Sequence, residues 1–509
     1  MRDQLKAAGL AVAVALSATG IAGCQSTDDN VLTIGATAAP PTLDLVSNAA
    51  AAIPQVLLYN VYETLVRVND SGKLVGLLAK SWKLSDDGLR LTFRLDPNAR
   101  FASGARVTSA AVKASLELMR GASASPVNQA NLAAIKAIHT PDDSTVILDL
   151  SNRDNFLLFN LASTSGVVID PATKDLATRP QGSGPYVVTE FTPGHSVTLS
   201  PSPRPWHEGN RPTVRFAYYS DPTSQTAALL SGDLDVVSDM TTPQALSRFT
   251  GNPNYRVLRG TTNGEVVLGM NNTSKALSDR RVRQAILMAI DRKGLLDVVW
   301  NGQGTLIGSM VPPTDPWYTD LSHTWPHDPV RARKLLADAG YGNGLTLRLR
   351  TAALPYATAA SRVVASELAQ VGINVVTDEL EFPARWLDVV YTHADYDLTI
   401  VAHVEARDIV NWANPDYYWR YHNKEFNRLI ESARTGPADR TNETMMQASR
   451  ILATDAAGGF LFLMPKITIS KSGITGLQRN STISKSGITG LQRNSTSMSF
   501  DLTKVRRSK

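Results

Sequence analysis

The sequence predicts an α/β protein, because period-two apolar segments alternate with amphipathic helical segments over most of its 509 residues. Leu89, Leu91, Phe93 and Leu95 alternate with polar residues in LRLTFRLD, the pattern of a half-buried strand. Val282, Ile286, Ala289 and Ile290 fall on one stripe of SDRRVRQAILMAIDRKGLLDVVW, the pattern of a helix packed on a core. Gly232, Gly340 and Gly372 stand where helical patterns give way to strands.

In chain order, VLTIGAT opens a strand, and YNVYETLVRV (Tyr59 to Val68) reads as a helix running into a short strand. After LRLTFRLD, TSAAVKASLELMR is an amphipathic helix capped by Thr108 or Ser109. STVILDL is a strand, and GSGPYVVTEF is a glycine turn feeding another. DPTSQTAALLSGDLDVV is a helix closed near Gly232 and then a strand, with Asp233 and Asp235 framing it. The long helix beginning at Ser278 or Asp279 follows. PVRARKLLADAGY is a helix and LTLRLR a strand; ASRVVASELAQVGINVVTDEL is helix, glycine stop, strand.

The net charge of +5, dispersed along the chain, argues against a nucleic-acid partner. Arg2 and Lys6 precede an apolar run from Ala7 to Ala18, which ends at Ile21-Ala22-Gly23-Cys24. A basic start, a short apolar core and small residues before the cut form an export signal, too short for a comfortable bilayer span. The exit resembles a lipobox, so cleavage after residue 23 and acylation of Cys24 are expected, with residues 24–29 as lipidated tether. Two acyl chains hold a protein at a membrane where one binds only marginally. Cys24 is the sole cysteine, so its lipidation leaves no thiol for a disulfide, a metal site or a nucleophile.

ISKSGITGLQRNST occurs at residues 469–482 and again, letter for letter, at 483–496. Two perfect copies are no solenoid, which needs at least three diverged units. One copy is expected in a native strand and turn, the other as an inserted loop.

The blocks YNVYETLVRVNDSGKLVGLLAKSWKLSDDGLRLTFRLDPNARFASGARVTSAAVKASLE, GSGPYVVTEFTPGHSVTLS, ALLSGDLDVV, SDRRVRQAILMAIDRKGLL, DPVRARKLLADAGY, ELAQVGINV and YDLTI resemble, in this order, a family of extracellular solute-binding proteins of ABC transporters. The family is the peptide/nickel-binding one (family 5, dipeptide and oligopeptide binders). The resemblance implies a two-lobed periplasmic-binding-protein (Venus-flytrap) fold with an extra subdomain in lobe one. Lobe one comprises residues 30–263 and returns at 462–509; lobe two is residues 264–461. Ligand lies between the lobes and is buried by hinge closure.

Peptide binders of this family meet the ligand α-amino group with an aspartate after the YDL strand; Asp408 matches best, with Asp416 as rival and Arg407 as a competing neutraliser. An arginine meets the α-carboxylate, since its planar fork makes two charge-assisted bonds, and Arg362 or Arg385 is the candidate. Trp386, Trp412, Tyr417, Tyr418 and Trp419 suit side-chain pockets, or equally a core. Tyr59, Asn60 and Tyr62 fall where lobe one approaches ligand; Asn271 or Asn272 marks the entry to lobe two.

No catalytic constellation emerges. His207-Glu208 lacks the second histidine of a zinc helix, and Pro326 opposes a helix presenting His323 and His327 together. Ser183 sits in the glycine turn with no assigned base. The expectation is a non-enzymatic lipoprotein without cofactor or metal, monomeric, on the outer face of the bacterial cytoplasmic membrane. It would hand short peptides to the permease and ATPase subunits of an importer. The same fold binding a nickel chelate, haem or an oligosaccharide is the alternative, as is an envelope lipoprotein repurposed for regulatory protein contacts.

Overall fold

The computed structural model describes residues 31–69, 72–203, 206, 211–477 and 500–507. The leader, Cys24, residues 478–482 of the first repeat copy and all of the second lie outside the described residues.

Among the described residues, ten strands form one mixed sheet. Its order runs Tyr186–Thr192, Ser196–Pro201, Thr213–Tyr218, Val31–Ala36, Val236–Val237, Gly459–Lys471, Tyr255–Met270, Leu398–His403, Leu345–Ala352, Ile373–Leu380. The two longest strands, Tyr255–Met270 and Gly459–Lys471, pair antiparallel and run through both ends of the molecule. At one end Ile469 and Ser470 pair with Val237 and Val236; at the other, Glu265 to Met270 pair with His403 to Leu398. The register slips between Thr261 and Glu265, where Thr262 donates its hydroxyl to the Met464 carbonyl at 2.8 Å. A bulge there bends the pair midway between its two ends.

A smaller antiparallel sheet orders Ala79–Leu84, Arg90–Leu95, Thr145–Leu150 and Ile135–Asp142. The helix Ser109–Arg120 covers it, and Val112, Leu116 and Met119 share a core with Phe93 and Leu148. Leu91, Phe93 and Leu95 are buried as the alternation predicts. Leu89 is 40% exposed because it precedes the strand.

Local signals account for most helix ends. The Thr108 hydroxyl accepts from the Ala111 amide, and the Asp279 carboxylate from the Arg281 amide. Each satisfies a donor that the first helical turn leaves free. Val282, Ile286, Ala289 and Ile290 are all buried. Gly232 stops its helix in the left-handed region at φ 97°, and the Asp235 carboxylate accepts from the Thr33 amide at 3.0 Å.

Two segments depart from expectation. The long helix begun at Asp279 ends at Ala289 and restarts at Arg292–Trp300, with Ile290 extended between them and the Asp291 carboxylate capping the second helix. The helix predicted from Tyr59 lies earlier, at Ala52–Leu57, and Tyr59 itself is left-handed (φ 64°). The turn is closed by the Tyr59 amide on the Tyr62 carbonyl at 2.7 Å, while the Tyr59 hydroxyl donates to the distant Ala162 carbonyl. Tertiary contacts override the helical pattern here.

Four apolar clusters fill the body. The largest packs Leu32, Ile34, Phe93 and Phe216 with the C-terminal Leu502 and Val505. A second centres on Ile286, Val364 and Leu349, a third on Trp412, Tyr418 and Trp419. The fourth joins Leu229 and Phe249 to Ile469 of the first repeat copy. That copy therefore begins inside the sheet, and its Ile474–Thr475 pairs with Arg506–Arg507.

Candidate ligand-binding site

A cavity of about 530 Å³ opens between the segments on either side of the long strand pair. Asn48, Asn131, Phe159 and Asn160 line one wall; Trp386, Arg407, Asp408, Tyr417 and Tyr418 line the other. The size lies within the range of about 300–1,000 Å³ usual for small-molecule sites.

The charged wall is built from the end of a strand and a tight turn. His403 ends Leu398–His403, where it pairs in register with Glu265 of the long strand. The chain turns through Arg407, left-handed at φ 64°, so that Asp408 opens a short 3₁₀ helix, Asp408–Ala413, pointing inward. The Asp408 side chain lies 3.3 Å from His403 Nδ1, and His403 Nε2 lies 2.7 Å from the Tyr418 hydroxyl. Asp408 is only 4% exposed, yet neither of its carboxylate oxygens accepts a hydrogen bond.

Burial pushes the Asp408 carboxyl up to about 6, with His403 opposing the rise. Burial likewise raises Asp315 to about 7 against the attraction of Arg407. Glu265 is driven up by burial and then by the Asp408 charge. Burial lowers the Arg407 guanidinium to about 10, opposed by Asp315. Arg407 spans the cavity: its guanidinium carbon lies 3.5 Å from the centre of the Phe159 ring and 4.9 Å from that of Trp317. Three buried carboxylates thus neighbour one another beside a single buried guanidinium and one histidine, so acidic groups outnumber basic ones here. A desolvated carboxylate without donors is costly unless a cation joins it.

The structure brings together Asp408, Arg407, Trp386 and Tyr417 of the residues proposed from sequence. Trp386 donates its indole N–H to the Thr399 hydroxyl at 3.1 Å and meets Tyr418 edge to face. The remaining candidates lie elsewhere. Arg362 is exposed, 3.9 Å from Glu379, and Arg385 is exposed and donates to Asp388 at 2.9 Å. Asp416 faces solvent beside Arg420. Trp412 is a core residue stacked on Trp419 at 3.8 Å between centroids. Asn272 donates to the carbonyls of Met270, Trp419 and Ala457, tying the strand end to its neighbours. Asn60 donates to Val56 and Phe500 and accepts from the Leu502 amide, which anchors the C-terminal return. Tyr59 is buried under Arg67.

Sequence reading passed over Phe159, His403, Glu405 and Asp315. Among the described residues, His403, Glu405 and Asp408 form one group able to hold a metal ion, with their ligand atoms within 4.8 Å of one another. The spacing His403-x-Glu405-x-x-Asp408 was the available signal, but it matches no helical ligand pattern because the residues straddle a strand end and a turn. No described helix is long and apolar enough to cross a membrane.

Residues 73–428 match the family model of bacterial extracellular solute-binding proteins, family 5 (middle). The chain is 28% identical over 405 residues to the glutathione-binding protein GsiB of Escherichia coli (strain K12), covering 76% of this chain and 75% of that protein. Its fold matches the binding protein AgaA from A. tumefaciens R10, solved with agropinic acid, at TM-score 0.78 and 25% identity over 94% of this chain and 99% of that one. It also matches a dipeptide-binding protein from Pseudoalteromonas sp. SM9913, solved with Met-Leu, at TM-score 0.79 and 20% identity over 94% and 100% of the two chains. The chain therefore belongs to family 5 of the bacterial extracellular solute-binding proteins, two-lobed non-enzymatic carriers of ABC transporters.

Proposed function

We propose that this protein is the lipid-anchored receptor of an ABC importer and captures short peptides between its lobes for delivery to a membrane permease. The carrying observation is Asp408, a buried carboxylate in the wall of the cavity with His403 Nδ1 3.3 Å away. An α-ammonium group would supply a full positive charge and N–H donors to it. Arg407, Trp386 and Tyr417 complete the contact set. The relative GsiB, named for glutathione, and the dipeptide-binding fold neighbour support a peptide-like solute.

The proposed lobes are residues 30–263 with 462–509, and residues 264–461. The register slip between Thr261 and Glu265 supplies the bend at that boundary. Acylated Cys24 would hold a monomer at the outer face of the cytoplasmic membrane.

No arginine other than Arg407 lines the cavity among the described residues. A peptide whose C-terminus extends beyond the charged wall fits this better than one clamped at both ends. The test is to purify the chain from Gln25 onward, denature it, and identify by mass spectrometry whatever co-purifies. Peptides are the expected result. A sugar, haem or metal chelate replaces the substrate, and an empty cavity with no thermal shift in mixed peptides favours the regulatory envelope role. Asp408→Ala is expected to weaken peptide binding at least tenfold; unchanged affinity removes Asp408 from the site.

A further inference from the structure

We propose that Val127, Phe382, Leu387 and Tyr391 form an apolar side-chain subsite of the cavity, which selects peptides with a bulky apolar residue at the second or third position. The proposal deepens the reading of the cavity as a peptide site and rests on it.

Ten large apolar side chains are exposed among the described residues, and they are not evenly scattered. Val127, Phe382, Leu387 and Tyr391, four of the ten, line this one cavity. Single exposed apolar residues need no explanation, whereas a group gathered on a concave surface marks a binding surface. Both proposed lobes contribute: Val127 stands on the helix Pro126–Asn131 of the first, and the other three lie within 382–391 of the second.

The lobe-two part is firmly mounted. Trp386 is its buried anchor, and the indole N–H donates to the Thr399 hydroxyl at 3.1 Å. Directly after it the chain widens into a π-helical turn, Leu387–Thr392, in which the Thr392 hydroxyl donates to the Leu387 carbonyl at 2.9 Å. Such turns are rare and recur at functional sites. Val389 and Val390 of this turn are buried, while Leu387 and Tyr391 are each 43% exposed. Phe382 tilts against Trp386 at 5.9 Å between centroids, and both Trp386 and Tyr391 touch Tyr418, at 5.5 and 5.9 Å. The rings therefore form one connected aromatic surface, which suits an apolar side chain better than a charged one.

The position of the subsite sets the register. Asp408, the proposed ammonium partner, lies 3.3 Å from His403. The 6.4 Å from His403 to Tyr417 and the 5.3 Å from Tyr417 to Tyr391 put Tyr391 within about 12 Å of His403. An extended peptide advances about 3.3–3.6 Å per residue, so a peptide held by its ammonium at Asp408 brings its second and third side chains to this surface.

The test uses the chain from Gln25 onward, unfolded and refolded to remove any co-purified solute. It is titrated calorimetrically with Ala-Ala-Ala, Ala-Phe-Ala, Ala-Ala-Phe and Ala-Lys-Ala. At least one phenylalanine peptide should bind tenfold or more tighter than both Ala-Ala-Ala and Ala-Lys-Ala, the gain that burial of an aromatic side chain gives. Leu387→Ser with Tyr391→Ser changes exposed positions only, and should weaken that peptide at least fivefold more than it weakens Ala-Ala-Ala. Val127→Ser, on the opposite wall, should reduce the preference in the same direction. Equal affinity of the parent for all four peptides overturns the subsite and leaves the peptide receptor standing. A preference that survives undiminished in both variants, or an equal loss for every peptide, overturns it as well. Failure of all four peptides to bind the parent removes the peptide reading itself, and the subsite with it.

Discussion

The guanidinium of Arg407 lies 3.5 Å from the centre of the Phe159 ring, so a cation of one proposed lobe rests on an aromatic face of the other. Arg407 itself has a left-handed backbone and immediately precedes the 3₁₀ helix that Asp408 opens. One left-handed residue therefore precedes the proposed ligand carboxylate and makes the ring contact beside it. Phe159→Leu keeps most of the apolar volume and removes the π face. A cation–π contact is worth about 0.5–2 kcal/mol, so peptide affinity should fall about two- to thirtyfold, through faster release. Stopped-flow dissociation rates check this, and an unchanged rate means the contact does not hold the closed form.

A second contact joins the same two proposed lobes through residues that do not line the cavity. Asn155 donates its side-chain amide to the Ala433 and Gly436 carbonyls at 2.9 and 3.0 Å, and its backbone amide to Arg434 at 2.8 Å. Arg434 in turn lies 3.3 Å from the buried Asp154 carboxylate. Asn155→Ala should shift the unliganded protein toward an open form, seen as a larger radius of gyration by small-angle scattering, with weaker peptide binding. Identical scattering profiles for the parent and the variant would show the clasp to be silent.

The turn Gly182-Ser183-Gly184-Pro185 makes a sharper demand. A Cβ on Gly184 would stand 2.3 Å from the Asn60 carbonyl oxygen, and one on Gly182 would stand 2.3 Å from that of Val61. Backbone cannot yield as a flexible side chain can. Gly184→Ala should cost about 1–3 kcal/mol or more and lower the melting temperature by several degrees. A variant that melts with the parent would show that the turn relaxes freely.

What was legible in the sequence follows from how locally each feature is encoded. The Thr108 and Asp279 caps, the Val282 to Ala289 stripe and the Gly232 stop depend on residues within a turn or two, and the structure shows them as read. Tyr59 was misread because its left-handed turn is stabilised by Ala162, about a hundred residues away. Asp408 lies in the cavity wall and Arg362 and Arg385 face solvent, a difference that no local pattern encodes because it depends on which face of each segment is covered. Trp412 looked like a ligand aromatic in a run of aromatics, and only packing against Trp419 reveals it as core. The His403–Glu405–Asp408 group has no linear pattern of its own.

Glu367 carries a pH dependence outside the cavity. It accepts from the Asp291 backbone amide at 3.1 Å, and burial raises its carboxyl from 4.5 to about 7 despite that bond, with the Asp291 charge adding to the rise. The folded chain thus binds this proton more tightly than the unfolded chain between about pH 4.5 and 7. Stability from this group falls as pH rises through that window. Glu367→Gln keeps an acceptor and cannot titrate, so its melting temperature should fall less than the parent's between pH 5 and 8. Parallel melting curves for the two proteins would remove Glu367 as the cause.

The duplicated segment offers the most decisive test of register. Ile469 of the first copy pairs with Val237 and Val257, and Ile474–Thr475 pairs with Arg506–Arg507, so the first copy already supplies strand residues. Gly476 lies against the Lys504 backbone, and Leu477 packs on the same core as Phe500, so the ends of the intervening stretch are close together. Deleting residues 483–496 leaves the eight residues 478–482 and 497–499 to join them, enough to span about 26 Å when extended. Shortening a connection by this much changes its closure entropy by less than about 1.5 kcal/mol. The deletion should therefore leave the melting temperature within a few degrees and peptide affinity unchanged. A large loss of stability would mean that the second copy contributes packing of its own, and the return of the chain through Asp501, bound to Arg67 at 2.8 Å, would be the first contact to re-examine.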